Sequence, residues 1–175
     1  MQNSMLGLGD NNAELIFYIK NRPPLPIYQH LTTIKPLERG EIAHICHETG
    51  NHWRKIFNVY AKLIFELTPQ VFTSWQQLRD KQLLQANSTQ CLLFSPPNFA
   101  TLKSGKKLHI ILGKGYAEQL GLSNDCTWLC PDFAINEKLA VIICPYFDYR
   151  QLSNRKITQL VGLIQQLKRN GALQN

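Results

Sequence analysis

The segment PYFDYR, residues 145–150, places two tyrosines, an aspartate and an arginine directly behind the apolar run LAVIIC (139–144). A plain connection needs a few turn residues. This one offers aromatic faces, phenolic hydroxyls, a carboxylate and a guanidinium. Together such groups can hold a ligand, and a carboxylate among them can position water or move a proton. Tyr146, Asp148, Tyr149 and Arg150 are therefore the first candidates for a site. A structural alternative uses the same residues: Tyr146 and Phe147 covering a sheet edge while Asp148 and Arg150 pair in solvent. Loops with unusual chemistry favour function.

Four short apolar runs must position that segment. LIFYI (15–19), CLLF (91–94), LHIIL (108–112) and LAVIIC (139–144) are nearly continuous rather than alternating, the pattern of strands buried on both faces. Helical periodicity fills much of the intervening chain. In 51–67, Trp53, Ile56, Phe57, Tyr60, Leu63, Ile64 and Leu67 recur on one face, with Gly50 and Asn51 as a start and Pro69 as a stop. In 153–171, Ile157, Leu160, Val161, Ile164 and Leu167 form a stripe that Ser153 can cap. Weaker helices are predicted at 41–48, 74–84 and 115–120, and the four prolines of 21–36 make the start of that stretch a loop. Strands separated by helices predict an α/β fold, a three-layer sandwich around a short, mainly parallel four-stranded sheet.

No linker divides residues 1–175, so one α/β domain is expected. The net charge is +7 and the pI about 9.3, a balance that favours acidic partners, nucleic acid first. The first residues lack the basic and apolar regions of a secretory leader, and no apolar run is long enough to span a bilayer. Five scattered cysteines read as small buried hydrophobes in a reducing compartment. A cytoplasmic protein without a membrane partner is expected.

In such a fold, ligands sit beyond the carboxyl ends of the strands. The segments KNRPPLPIY (20–28), SPPNF (95–99), GKGYAEQ (113–119) and PYFDYRQLSN (145–154) would meet there. GKGYAE fails the dinucleotide pattern because Glu118 holds its third glycine position, and SGKK (104–107) lacks the earlier glycine of a P-loop. His44, Cys46, His47 and His52 are the best metal candidates, but HETGNH misses the H-E-x-x-H spacing and Gly50 interrupts it. No cofactor and no metal are assigned.

HIILGKGYAEQLG (109–121) resembles the strand-plus-LG-x-x-A-x-x-L segment of the uracil-DNA glycosylase superfamily. LAVIICPYFDYR resembles that superfamily's last strand and the His-Pro loop after it, and LIFYIKNRPPLPIY (15–28) its first motif. The whole chain also resembles an uncharacterised bacterial family of unknown function. The superfamily resemblance implies a parallel sheet, a nucleobase pocket at the strand ends and base flipping. It puts Asn21 near the water-positioning place. Pro145 matches the proline of the last motif, and Cys144 replaces its leaving-group histidine. A thiol is a poor donor to a departing base, so slow or no uracil release is implied.

The combined expectation is a nucleic-acid or nucleobase-binding protein without the usual catalytic residues. Asn21 and Asp148 are its acid–base or water-positioning candidates. Arg22, Lys114 and Arg150 are assigned to phosphate, and Tyr146 and Tyr149 to stacking on a base, with Pro145 beside them. The alternatives are a small-molecule enzyme using the same rim and a protein-interaction module.

Overall fold

The four apolar segments Leu15–Tyr18, Gln90–Leu93, Leu108–Leu112 and Val141–Cys144 are buried at every position. Strands with no exposed face must lie inside a covered sheet. The computed structural model describes residues 5–68, 71–98 and 107–173. In chain order its strands are β1 (Gly7–Gly9), β2 (Leu15–Tyr18), β3 (Ile34–Lys35), β4 (Gln90–Leu93), β5 (Leu108–Leu112), β6 (Thr127–Trp128), β7 (Ala134–Asn136) and β8 (Val141–Cys144). The helices are α1 (Pro26–Gln29), α2 (Glu41–Thr49), α3 (Asn51–Leu67), α4 (Trp75–Lys81), α5 (Lys114–Gln119) and α6 (Asn154–Leu173). Pro69, the expected stop of α3, lies outside the described residues; within them, Thr68 caps the helix through its amide to the Ile64 carbonyl.

All eight strands form one sheet in the order β3-β1-β4-β2-β5-β8-β7-β6. The inner four, β4, β2, β5 and β8, pair in parallel. The flanks do not follow them. β1 runs antiparallel to β4 and carries β3 parallel to itself, while β7 is antiparallel to β8 and β6 antiparallel to β7. This corrects the expected sheet, which was to be four-stranded, mainly parallel and glycosylase-like. The flanking strands are two or three residues long and carry no apolar run. Their pairing is dictated by the neighbour each one meets, which periodicity does not reveal.

β1, Gly-Leu-Gly, shows the constraint most plainly. A Cβ on Gly7 would collide with the Leu92 backbone, and one on Gly9 with the backbone of Gln90 and Cys91. Gly9 also sits at φ +124°. Only glycine lets β1 approach β4 this closely. The turn that follows is held by Asp10, whose carboxylate accepts from the Asn12 amide at 2.9 Å and the Thr89 amide at 3.0 Å.

The two faces of the sheet are covered unequally. On one, Phe17, Leu92, Ile110 and Ile142 pack into a core with Trp53, Phe57 and Tyr60 of α3, and Ile157, Leu160 and Ile164 of α6. α2 and α4 join that layer through Ile42, Ile45 and Leu78. On the other, Ile16, Cys91, Ile111 and Ile143 meet Ala117 of α5 and Leu122 just after it. Gly50, at φ +86°, breaks α2 from α3 and lets the long helix turn back across the sheet.

The thinner face holds a buried polar pair. Tyr18 and His109 are 3% and 5% exposed, with the tyrosine hydroxyl 2.8 Å from His109 Nδ1. Burial, and secondarily nearby Lys107, pushes the imidazole down from 6.5 to about 4. A histidine kept neutral in the fold but free to protonate when unfolded stabilises the fold fully above about pH 6.5. That contribution should drain away as pH falls from there towards 4, by up to about 3 kcal/mol. Urea unfolding at several pH values measures it. His109→Asn should flatten the slope across that interval, and an unchanged slope would contradict the assignment.

Candidate functional site

The inner strands set the site. From β2 the chain crosses to β4 on one side, and then to β5 on the other side of β2. Where successive connections leave in opposite directions, a crevice opens at the carboxyl ends of the strands. A cleft of about 710 Å³ lies there, floored by the ends of β2, β5 and β8. Its volume falls in the range of roughly 300–1,000 Å³ typical of small-molecule sites.

Each strand end contributes a short segment. Lys20 and Asn21 follow β2, Gly113 and Lys114 follow β5, and Pro145 and Tyr146 follow β8. Gly113 turns at φ +101°, where a side chain would be strained, and its amide donates to the Cys144 carbonyl at 2.8 Å. This bond ties the β5 and β8 exits together. His52, in the first turn of α3, closes one wall.

Tyr146 is the centre of the polar wall. Its hydroxyl accepts a hydrogen bond from Asn21 Nδ2 at 3.0 Å and lies 2.9 Å from His52 Nε2. The His52 and Tyr146 rings are near-parallel, 24° apart, with centroids at 5.9 Å. Burial raises the Tyr146 phenol above its ordinary 10.0; the Asn21 bond opposes the shift, and Asp148 adds to it. The hydroxyl therefore keeps its proton at neutral pH. Three lysines, Lys20, Lys114 and Lys156, line the cleft against a single carboxylate, Asp132. Asp132 is already paired with Lys156 at 3.2 Å. The Lys114 ammonium lies 5.5 Å from the centre of the Trp128 ring, which holds it without cancelling its charge.

The PYFDYR segment sends successive side chains in different directions. Tyr146 enters the cleft. Phe147 is fully buried against Phe17 and Tyr60, with centroids at 5.8 and 5.3 Å. Asp148 does not line the cleft. Its carboxylate accepts from the Arg150 amide at 2.9 Å and from the guanidinium at 3.2 and 2.9 Å, with Lys55 at 4.0 Å. The Arg150 hydrogen bonds hold the Asp148 carboxyl down at about 2, against the opposing effect of burial. Tyr149 points outward, 56% exposed.

Of the expected residues, Asn21, Lys114, Pro145 and Tyr146 therefore share one cleft, while Asp148, Tyr149 and Arg150 lie outside its lining. Arg22 is also elsewhere. It donates to the Tyr28 and Gln29 carbonyls at 3.4 and 3.0 Å and lies against Phe94, closing the end of α1. Lys20, Asp132, Lys156 and His52 were not singled out for this site. Lys20 lies in a segment expected at the strand ends and His52 is among the metal candidates, but only the folded chain brings them together with Asp132 and Lys156. His52 stands apart from His44 and His47, both exposed on α2. Among the described residues no group of three or more His, Cys, Asp or Glu is placed to hold a metal. Residues 104–106 of SGKK and Phe99 of SPPNF lie outside the described residues.

A family model matches residues 6–165, nearly the whole chain, and its description is a family of unknown function, DUF6942. The chain belongs to that family. No curated protein and no solved structure matches it. The glycosylase resemblance does not survive these findings. The sheet is eight-stranded and mixed, and Cys144, in the place of the glycosylase histidine, is fully buried with its thiol pushed well above 9.0 by that burial. The base flipping implied by the resemblance falls with the topology that implied it, and nothing in this fold ties the chain to glycosylase-like nucleic-acid binding. Among the described residues, no helix is long and apolar enough to cross a membrane.

Proposed function

We propose that the cleft binds a small molecule through an anionic group, a phosphate or a carboxylate, and that Tyr146 meets that group between Lys20 and Lys114. The observation that carries this reading is the excess of lysine in a walled crevice whose one carboxylate is already paired. Asn21 orients the Tyr146 hydroxyl, and Pro145 shapes the floor beneath the ligand. Asp148 and Arg150 act at a distance, locking the loop that carries Tyr146.

The hydroxyl–imidazole pair of Tyr146 and His52 supports a second reading, in which the bound molecule is turned over. A protonated phenol 2.9 Å from an imidazole can donate a proton to a ligand and be resupplied by His52. In that reading Tyr146 is the proton donor of a small-molecule enzyme.

Calorimetric titration with pyrophosphate and with citrate, at low ionic strength, tests the binding claim. At least one anion should bind saturably, and affinity should fall as salt rises. Lys20→Gln with Lys114→Gln should weaken it about tenfold or more, since each charged hydrogen bond contributes about 1.5–3 kcal/mol. No saturable binding of either anion would end the proposal.

A further inference from the structure

A second groove, of about 350 Å³, runs along α3 and shares no lining residue with the cleft. Its walls carry Arg54, Lys55 and Lys62 with Asn51, Asn58 and Tyr149, and no carboxylate. Arg54, Asn58 and Lys62 follow an i, i+4, i+8 spacing, so they stand in one row about 12 Å long. Cations gathered in a row repel one another unless something negative lies among them.

Among the described residues no carboxylate is ion-paired with Arg54 or Lys62, and Lys55 must share Asp148 with Arg150. Asp148, 4.0 Å from Lys55, already holds Arg150 by three hydrogen bonds. Other groups fix the cations without removing their charge. Lys55 lies 5.5 Å from the centre of the Tyr149 ring, and Lys62 lies 5.2 Å from that of Trp75. Arg54 donates to Asn51 Oδ1 at 2.8 Å, which orients its guanidinium. Arg79 donates to Asn58 Oδ1 at 2.8 Å from outside the groove, and is itself paired with Asp80 at 2.9 Å. Held side chains lose less rotamer freedom on binding, and a guanidinium fork suits a planar or tetrahedral oxyanion.

We infer that this groove is a second anion site, independent of the cleft, for a phosphate or carboxylate group held by Arg54, Lys55 and Lys62 beside the Tyr149 side chain. The loop after β8 reaches both sites, with Tyr146 lining one and Tyr149 the other.

Amide-resolved NMR of the full chain, titrated with pyrophosphate and separately with citrate, decides it. The amides of residues 54–62 and of Tyr149 should shift saturably with at least one anion. Preference for pyrophosphate identifies a phosphate site, and preference for citrate a carboxylate site. Arg54→Gln with Lys62→Gln should weaken the groove response at least tenfold and leave the shifts around Lys20 and Lys114 intact. Lys20→Gln with Lys114→Gln should do the reverse, so the two sites fail or stand separately. All four positions are partly or fully exposed, and the fold should tolerate them. Groove amides that stay still with both anions, or whose shifts vanish in the cleft variant, would overturn the inference.

Discussion

Phe147→Ala should destabilise the protein by about 3–5 kcal/mol, the cost of emptying a large aromatic site in a closed core. Phe147 is fully buried and meets two rings, Phe17 of β2 and Tyr60 of α3, which are themselves 4.6 Å apart by centroid. Little around it can collapse. Tyr60 is held by a hydrogen bond from its hydroxyl to the Cys91 carbonyl at 3.2 Å, and Phe17 lies in a central strand. Equilibrium urea unfolding gives the number. Phe147→Leu should cost much less, because it keeps most of the volume. A loss for Phe147→Ala below about 1 kcal/mol, that of an ordinary substitution, would show that Phe147 does not anchor the loop. The site depends on this anchor, because Phe147 fixes the backbone between Tyr146 and Asp148.

The second large effect belongs to Tyr146. Tyr146→Phe removes the hydroxyl that joins Asn21 and His52 while leaving the ring that stacks on His52. Pyrophosphate or citrate binding in the cleft should weaken by about ten- to a hundredfold, the expected loss of a hydrogen bond to a charged group. Stability should change little, since that edge of the ring faces the cleft. Calorimetry and thermal unfolding on the same preparation separate the two. Unchanged affinity would remove Tyr146 from the site, whatever the lysines do.

The inner strands were legible because each is an unbroken apolar run, and α3 and α6 because their apolar residues recur with helical period. The flanks were not. Gly7–Gly9 has no strand-forming composition, and it pairs with β4 because Gly7 and Gly9 place no Cβ against the β4 backbone. Ile34–Lys35 and Thr127–Trp128 are too short to show any period. The segment PYFDYR was recognisable by residue type, but the destinations of its side chains were not. Neighbours in sequence went to the cleft, the core, an internal ion pair and an outer groove. The lysine excess of the cleft draws on residues 20, 114 and 156, a grouping made by the crossovers between strands.

The central claim is that an anionic group lies between Lys20, Lys114 and the Tyr146 hydroxyl. A crystal structure of the protein grown with pyrophosphate, and another with citrate, tests it most directly. The account predicts, in at least one of them, density for the anion in the cleft at the ends of β2, β5 and β8, within hydrogen-bond reach of Tyr146 and at least one of the two lysines. A cleft left empty by both anions at concentrations well above their measured dissociation constants would contradict it.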